Sequence, residues 1–175
     1  AWEDTTFTGQ TADALAALDW LAAEPRVDAG RLALLGWSQG GMIAAETAAR
    51  AGAAVDALIL WAPVAHPRAN YAGIVGAETL EAALAADPAA MVDAPLPWWE
   101  DMQMRAGFFH ETVTVNPVAA VAAYDGPVQV IVGLRDTTIA PQPASGEAML
   151  AYHDGPHTLV AFDTDHVWDA FEGPQ

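Results

Sequence analysis

Gly36-Trp37-Ser38-Gln39-Gly40 fits the pattern Gly-x-Ser-x-Gly, and Gly41 follows it. A serine between two glycines can be a nucleophile held on a sharp turn, with the glycines keeping side chains out of the way of the neighbouring strand and helix. The alternative is a glycine-rich strand-to-helix turn with an incidental serine. A serine hydroxyl ionises far above neutral pH, so the nucleophilic reading needs a general base to take its proton. Of the five histidines, His66 lies in a proline-bounded loop, His110 in a central insertion, and His153 and His157 flank a turn. His166, in Asp163-Thr164-Asp165-His166, is the candidate base. A carboxylate must then orient the imidazole and stabilise its charged form. Asp136 in Val132-Gly133-Leu134-Arg135-Asp136 is the candidate, 98 residues after Ser38 and 30 before His166. Asp163 and Asp165 read as turn or capping residues.

These positions make sense only if the elements before them bring them to one place. Residues 32–35 form a short apolar run that enters the serine motif and reads as a strand buried on both faces. In residues 39–50 the many small residues, with Met42 and Ile43, predict a helix packed closely on a sheet. Further strands are predicted at 57–61, 128–132 and 157–162, with helices at 10–23 and 143–152. In the first of these helices Ala14, Leu15, Leu18 and Leu21 share one stripe. Alternation of strands and helices predicts an α/β fold, a mostly parallel sheet with helices on both faces. In such a sheet the carboxyl ends of all strands lie on one rim, so Ser38, Asp136 and His166 meet there.

Residues 64–124 interrupt that rhythm. Helices are expected at 77–86 and 99–109, joined through Pro88 and Pro95-Leu96-Pro97. The expected organisation is a core of residues 1–63 and 125–175 with a helical lid insertion at 64–124. Tyr71, Trp98, Trp99, Phe108 and Phe109 lie in the insertion. They either bury it or line a pocket for an acyl or aromatic ester group; Trp98, Trp99, Phe108 and Phe109 are the candidate substrate contacts.

Taken together, the segments at 31–41 and 126–136, Ile139-Ala140-Pro141 and Asp165-His166 resemble the α/β-hydrolase superfamily. They are most similar to its feruloyl-esterase-like and serine-aminopeptidase-like members. The resemblance implies a Ser-His-Asp serine hydrolase acting through an acyl-enzyme on carboxylic esters, without metal or cofactor. It assigns the backbone amide of Gln39 to the oxyanion hole and Gly36, Trp37 and Gly40 to the nucleophile elbow. It also implies strands ahead of residue 10 and a second oxyanion amide, so the chain is expected to be an N-terminally truncated fragment of a longer reading frame. A peptidase or amidase using the same residues, or a catalytically incomplete or ligand-binding relative, are the other readings.

Composition narrows the partners. The 175 residues carry 6 basic and 23 acidic side chains, no lysine and a net charge of −17. That disfavours nucleic acid and anionic membranes, which call for a cationic surface, and would repel anionic substrates. Aliphatic and aromatic residues make up 53% of the chain, 40 of them alanine. None of the apolar runs approaches the roughly 18 residues that would suggest a bilayer span. The absence of cysteine excludes disulfides, thiolate metal centres and a thiol nucleophile. The expected partner is a small-molecule ester, and a cytoplasmic setting is favoured.

Overall fold

A computed structural model describes residues 2–96, 99–168 and 170. In chain order the elements are α1 (Phe7–Ala23), β1 (Ala33–Trp37), α2 (Gln39–Ala51), β2 (Ala57–Trp61), α3 (Pro67–Val75), α4 (Ala77–Ala85) and β3 (Met91–Asp93). They continue with β4 (Gln103–Arg105), α5 (Ala106–His110), α6 (Pro117–Ala122), β5 (Val128–Gly133), α7 (Ala144–Leu150) and β6 (His157–Phe162). The chain divides into two compact units, one of residues 1–10 and 66–115 and a larger one of residues 11–65 and 116–175.

The larger unit is built on a parallel sheet of order β1-β2-β5-β6. Parallel strands with covered faces read as apolar runs, because a side chain of either parity can be buried. In β2 and β5, Leu58, Leu60, Val128, Val130 and Val132 point to one face and are 0–2% exposed. Against them pack Ala44, Ala45 and Ala48 of α2, Ala120 and Val121 of α6, and Met149 of α7. Alanines let α2 approach closely. Gly146 of α7 does the same, since a Cβ there would stand 2.7 Å from Val132 Cγ1. The fold class is the expected one, a mostly parallel sheet with helices packed on it. β1 differs from expectation. It is an edge strand of the described sheet, and Leu35 and Trp37, which project away from α2, are 54% and 46% exposed.

The register sets where the strands stop. Trp37 pairs with Trp61, Trp61 with Ile131, and Gly133 with Phe162. The carboxyl ends of the four strands therefore form one rim, and residues 38, 62, 134 and 163 are the first beyond it.

The smaller unit departs further from the sequence reading. The expected helix at 99–109 is instead strand β4 followed by the short α5, and β4 pairs antiparallel with β3 (Val92 opposite Met104). Three-residue strands leave too little alternation to show in a sequence. The unit's bounds also differ from 64–124: α6 packs on α2 in the larger unit, and residues 1–10 cluster with the smaller. Its centre is aromatic. Phe7 meets Phe108 edge-on with centroids 4.6 Å apart, Tyr71 lies 5.4 Å from Phe108, and Phe109 lies 5.2 Å from it.

Burial raises the Tyr71 hydroxyl well above the ordinary tyrosine range. An unfolded chain ionises that group near pH 10 while the folded one does not, so alkali draws the equilibrium toward unfolding. Thermal melts from about pH 9 to about pH 11 should show falling stability, with a shallower fall in Tyr71→Phe. Equal slopes in the two proteins would remove this account.

Candidate active site

Ser38 follows β1 directly and precedes α2, and the strand-to-helix reversal forces it to φ 56°, ψ −123°. A positive φ is costly for any residue with a Cβ, and here surrounding contacts hold it. The Ser38 N–H donates to the Trp61 carbonyl at 2.9 Å, and the Gly41 N–H donates to the Ser38 carbonyl at 2.9 Å. Gly36 is required by close approach, because a Cβ there would lie 2.0 Å from the Gly40 carbonyl oxygen. The sequence reading gave Gly40 the same role, and the structure corrects it. Outside its chain neighbours and its own helix backbone, nothing stands within 4 Å of a Cβ placed on Gly40, whereas one on Gly41 would lie 2.8 Å from Pro63 Cβ. Gly36→Ala should therefore cost about 1–3 kcal/mol or more of stability by overpacking. Gly40→Ala, inside a helix with open space, should be neutral or gain up to about 1 kcal/mol. Urea midpoints of the two variants check this, and equal losses would refute it.

The turn places Gln39, whose backbone amide was the expected oxyanion donor, as the first residue of α2. The partial positive charge of a helix N-terminus acts at this position.

Asp136 follows β5 by three residues and is almost completely buried, at 4% exposure. Its Oδ1 accepts from the backbone N–H groups of Thr138 at 2.8 Å and Ile139 at 2.9 Å. This Asx-type turn makes the acid's own loop hold its carboxylate. His166 lies four residues beyond β6, with its side chain 12% exposed. Its Nδ1 is 2.7 Å from Asp136 Oδ2 and its Nε2 is 3.0 Å from Ser38 Oγ. A carboxylate can only accept, so Nδ1 carries the hydrogen of the neutral ring and Nε2 accepts from the serine. The structure thus brings Ser38, His166 and Asp136 into one hydrogen-bonded row, all within the larger unit.

Neighbouring groups fix the two loops. The Arg135 guanidinium bonds the Asp163 carboxylate at 3.2 Å, and the Arg135 N–H donates to the Thr164 carbonyl at 2.9 Å. Asp165 Oδ1 accepts from the Val167 N–H at 2.9 Å. Gly133 lies so close to the histidine loop that a Cβ would meet the Thr164 carbonyl oxygen at 2.5 Å.

The sequence profile described as alpha/beta hydrolase fold matches residues 4–168. The chain belongs to that family. Among curated proteins none matches this hydrolase-fold chain, but many solved structures do. Est1E from Butyrivibrio proteoclasticus is similar at 21% identity and TM-score 0.74, over 95% of this chain and 64% of that one. Its structure with ferulic acid bound gives 25% identity and TM-score 0.75, over 96% and 64%. Acetyl xylan esterase 1 from a Thermoanaerobacterium species gives 18% and 0.63, over 89% and 46%. Dipeptidyl peptidase 4 from Porphyromonas gingivalis gives 19% and 0.57, over 90% and 20%. The hydrolase-fold chain therefore spans less than two thirds of the length of these neighbours.

Phe108 and Phe109 are 5% and 0% exposed within the smaller unit's aromatic cluster. Trp99 is 41% exposed and lies against Trp2, centroids 5.5 Å apart. Trp98 is outside the described residues. His110 Nε2 contacts the Ala83 carbonyl, and buried His153 contacts the Val121 carbonyl through Nδ1. Among the described residues, no group of three or more His, Cys, Asp or Glu side chains could hold a metal ion. No described helix is long and apolar enough to cross a membrane. Sequence reasoning missed the amides of Thr138 and Ile139. The Asp-x-Thr spacing at 136–138 was an available signal, because aspartate commonly accepts from the backbone two residues on.

Proposed function

We propose that this chain carries the reaction centre of a serine hydrolase that cleaves carboxylic esters through an acyl-enzyme, with Ser38 as nucleophile, His166 as base and Asp136 as its orienting acid. The observation that carries the reading is the pair of bonds on one imidazole, 3.0 Å to the serine oxygen and 2.7 Å to a buried carboxylate.

In this mechanism Ser38 Oγ attacks the ester carbonyl as its proton passes to His166 Nε2. The imidazolium is stabilised by Asp136 through Nδ1. Negative charge gathers on the former carbonyl oxygen, and the Gln39 amide at the start of α2 is the donor proposed to receive it. The alcohol leaves with the proton from His166. Water then attacks the acyl-serine with His166 again as base, releasing the acid and restoring Ser38. Covalent labelling of Ser38 by a fluorophosphonate tests the reading, since labelling needs an activated serine; an unlabelled parent chain would refute it.

The naming of two similar structures supports esters as substrates, one with ferulic acid bound and one an acetyl xylan esterase. The likeness to a dipeptidyl peptidase favours a second reading in which the same residues cleave amides. Turnover of a p-nitrophenyl ester should exceed that of an aminoacyl anilide by more than tenfold, and parity would favour the peptidase reading.

A further inference from the structure

The residue between Gly36 and Ser38 touches the proposed base. The Trp37 indole lies against the His166 imidazole, with centroids 5.2 Å apart and planes 29° from parallel. Its Nε1–H donates to the His166 backbone carbonyl at 3.2 Å, joining residues 129 positions apart. The nucleophile turn thus holds both the ring and the main chain of the histidine. Two residues on, Trp168 lies edge-on to Trp61 at 4.7 Å and to Phe162 at 5.3 Å.

We propose that Trp37 is the positioning residue of His166: its N–H fixes the loop that sets the distance to Ser38, and its ring face favours the imidazolium formed as Ser38 gives up its proton. This rests on the serine-hydrolase reading above. A neutral imidazole gains only dispersion from the indole. Once protonated it becomes a cation over a π face within the 6 Å range of that interaction. The contact therefore strengthens as the reaction proceeds, which is the condition for accelerating it. Trp37 is 46% exposed, which puts the electrostatic part at the weak end of its range.

Among the described residues, the charged and titratable groups nearest the imidazole are Asp136 at Nδ1, Ser38 at Nε2, Asp165 beside it in the chain, and the Arg135–Asp163 pair just beyond the flanking strands. A Trp37 substitution alters none of them chemically, so a change in pH response can be assigned to the indole.

The test is the second-order rate of fluorophosphonate labelling at Ser38, measured against pH for the parent chain, Trp37→Phe and Trp37→Leu, with thermal melts to find the folded fraction. Labelling forms the Ser38 Oγ–P bond and expels fluoride while His166 takes the proton, so it needs the neutral imidazole. In Trp37→Leu the plateau rate should fall about tenfold or more, and the acid limb should move about half a pH unit lower. Trp37→Phe keeps a ring face but no N–H. Its limb should stay nearer the parent's, with a plateau loss of roughly two- to tenfold. Rates and limbs equal to the parent's in both variants would overturn the proposal. So would a Leu variant whose loss is explained by its folded fraction with the limb unmoved. A parent chain unlabelled at Ser38 would overturn the hydrolase reading itself, and the Trp37 role with it.

Discussion

Ser38→Ala is expected to lower hydrolysis of a short p-nitrophenyl ester by about a million-fold relative to the parent, as removal of a nucleophile from a coupled triad does, and to abolish fluorophosphonate labelling. The fold should survive the change. Alanine keeps the Cβ and the same backbone bonds to the Trp61 carbonyl and from Gly41, so the strain at φ 56° is neither relieved nor increased. What disappears is the hydroxyl that faces His166 Nε2 at 3.0 Å. A thermal melt within a few degrees of the parent's, beside a lost rate, would isolate the chemistry. Ester turnover near the parent level in a folded Ser38→Ala protein would end the assignment.

The second large effect separates orientation from structure at the acid. Asp136→Asn keeps a side-chain oxygen to accept from Thr138 and Ile139, so the loop should stay formed. The group facing His166 Nδ1 can then become an NH₂ donor. The ring responds by placing its hydrogen on Nε2, where it can no longer accept from Ser38. The expected loss in kcat is about 10⁴-fold, with little change in the urea midpoint. Asp136→Ala should lose comparable activity, and it also strands two backbone N–H groups, one of them buried, at about 1–3 kcal/mol each when fully desolvated. An Asn variant with more than about a tenth of parental kcat would argue that the carboxylate does not set the tautomer.

How much of this could be read in advance varied with the local physics. β2 and β6 lie where the apolar run at 57–61 and the run at 157–162, apolar from Leu159, put them, because strands in a parallel sheet need no alternation to be recognised. The convergence of Ser38, Asp136 and His166 followed from a topological rule, that parallel strands end on a common rim. The smaller unit was less accessible. β3 and β4 pair through only three residues each. In the larger unit, α6 was equally hard to read, being six residues of mostly alanine and valine that start at Pro117, too short for a helical period to stand out. The glycines were half legible. Gly36 sits where close approach was expected, but the second close approach falls at Gly41, against Pro63, and not at Gly40, and no motif carries that. The stacking of Trp37 on His166 was hidden for a simpler reason. It joins the last residue of β1 to the loop beyond β6, 129 positions apart, and no local pattern in the sequence links them.

The tight passage at Gly133 has a practical outcome for anyone re-engineering this rim. A side chain there would strike the Thr164 and Asp165 carbonyls, so the turn bearing the acid and the turn bearing the imidazole are cut to one another's outline. A transplant of either alone would bring mismatched edges. Residues 133–136 and 162–166 should be exchanged as a matched pair, and libraries that vary one while freezing the other should recover few working combinations.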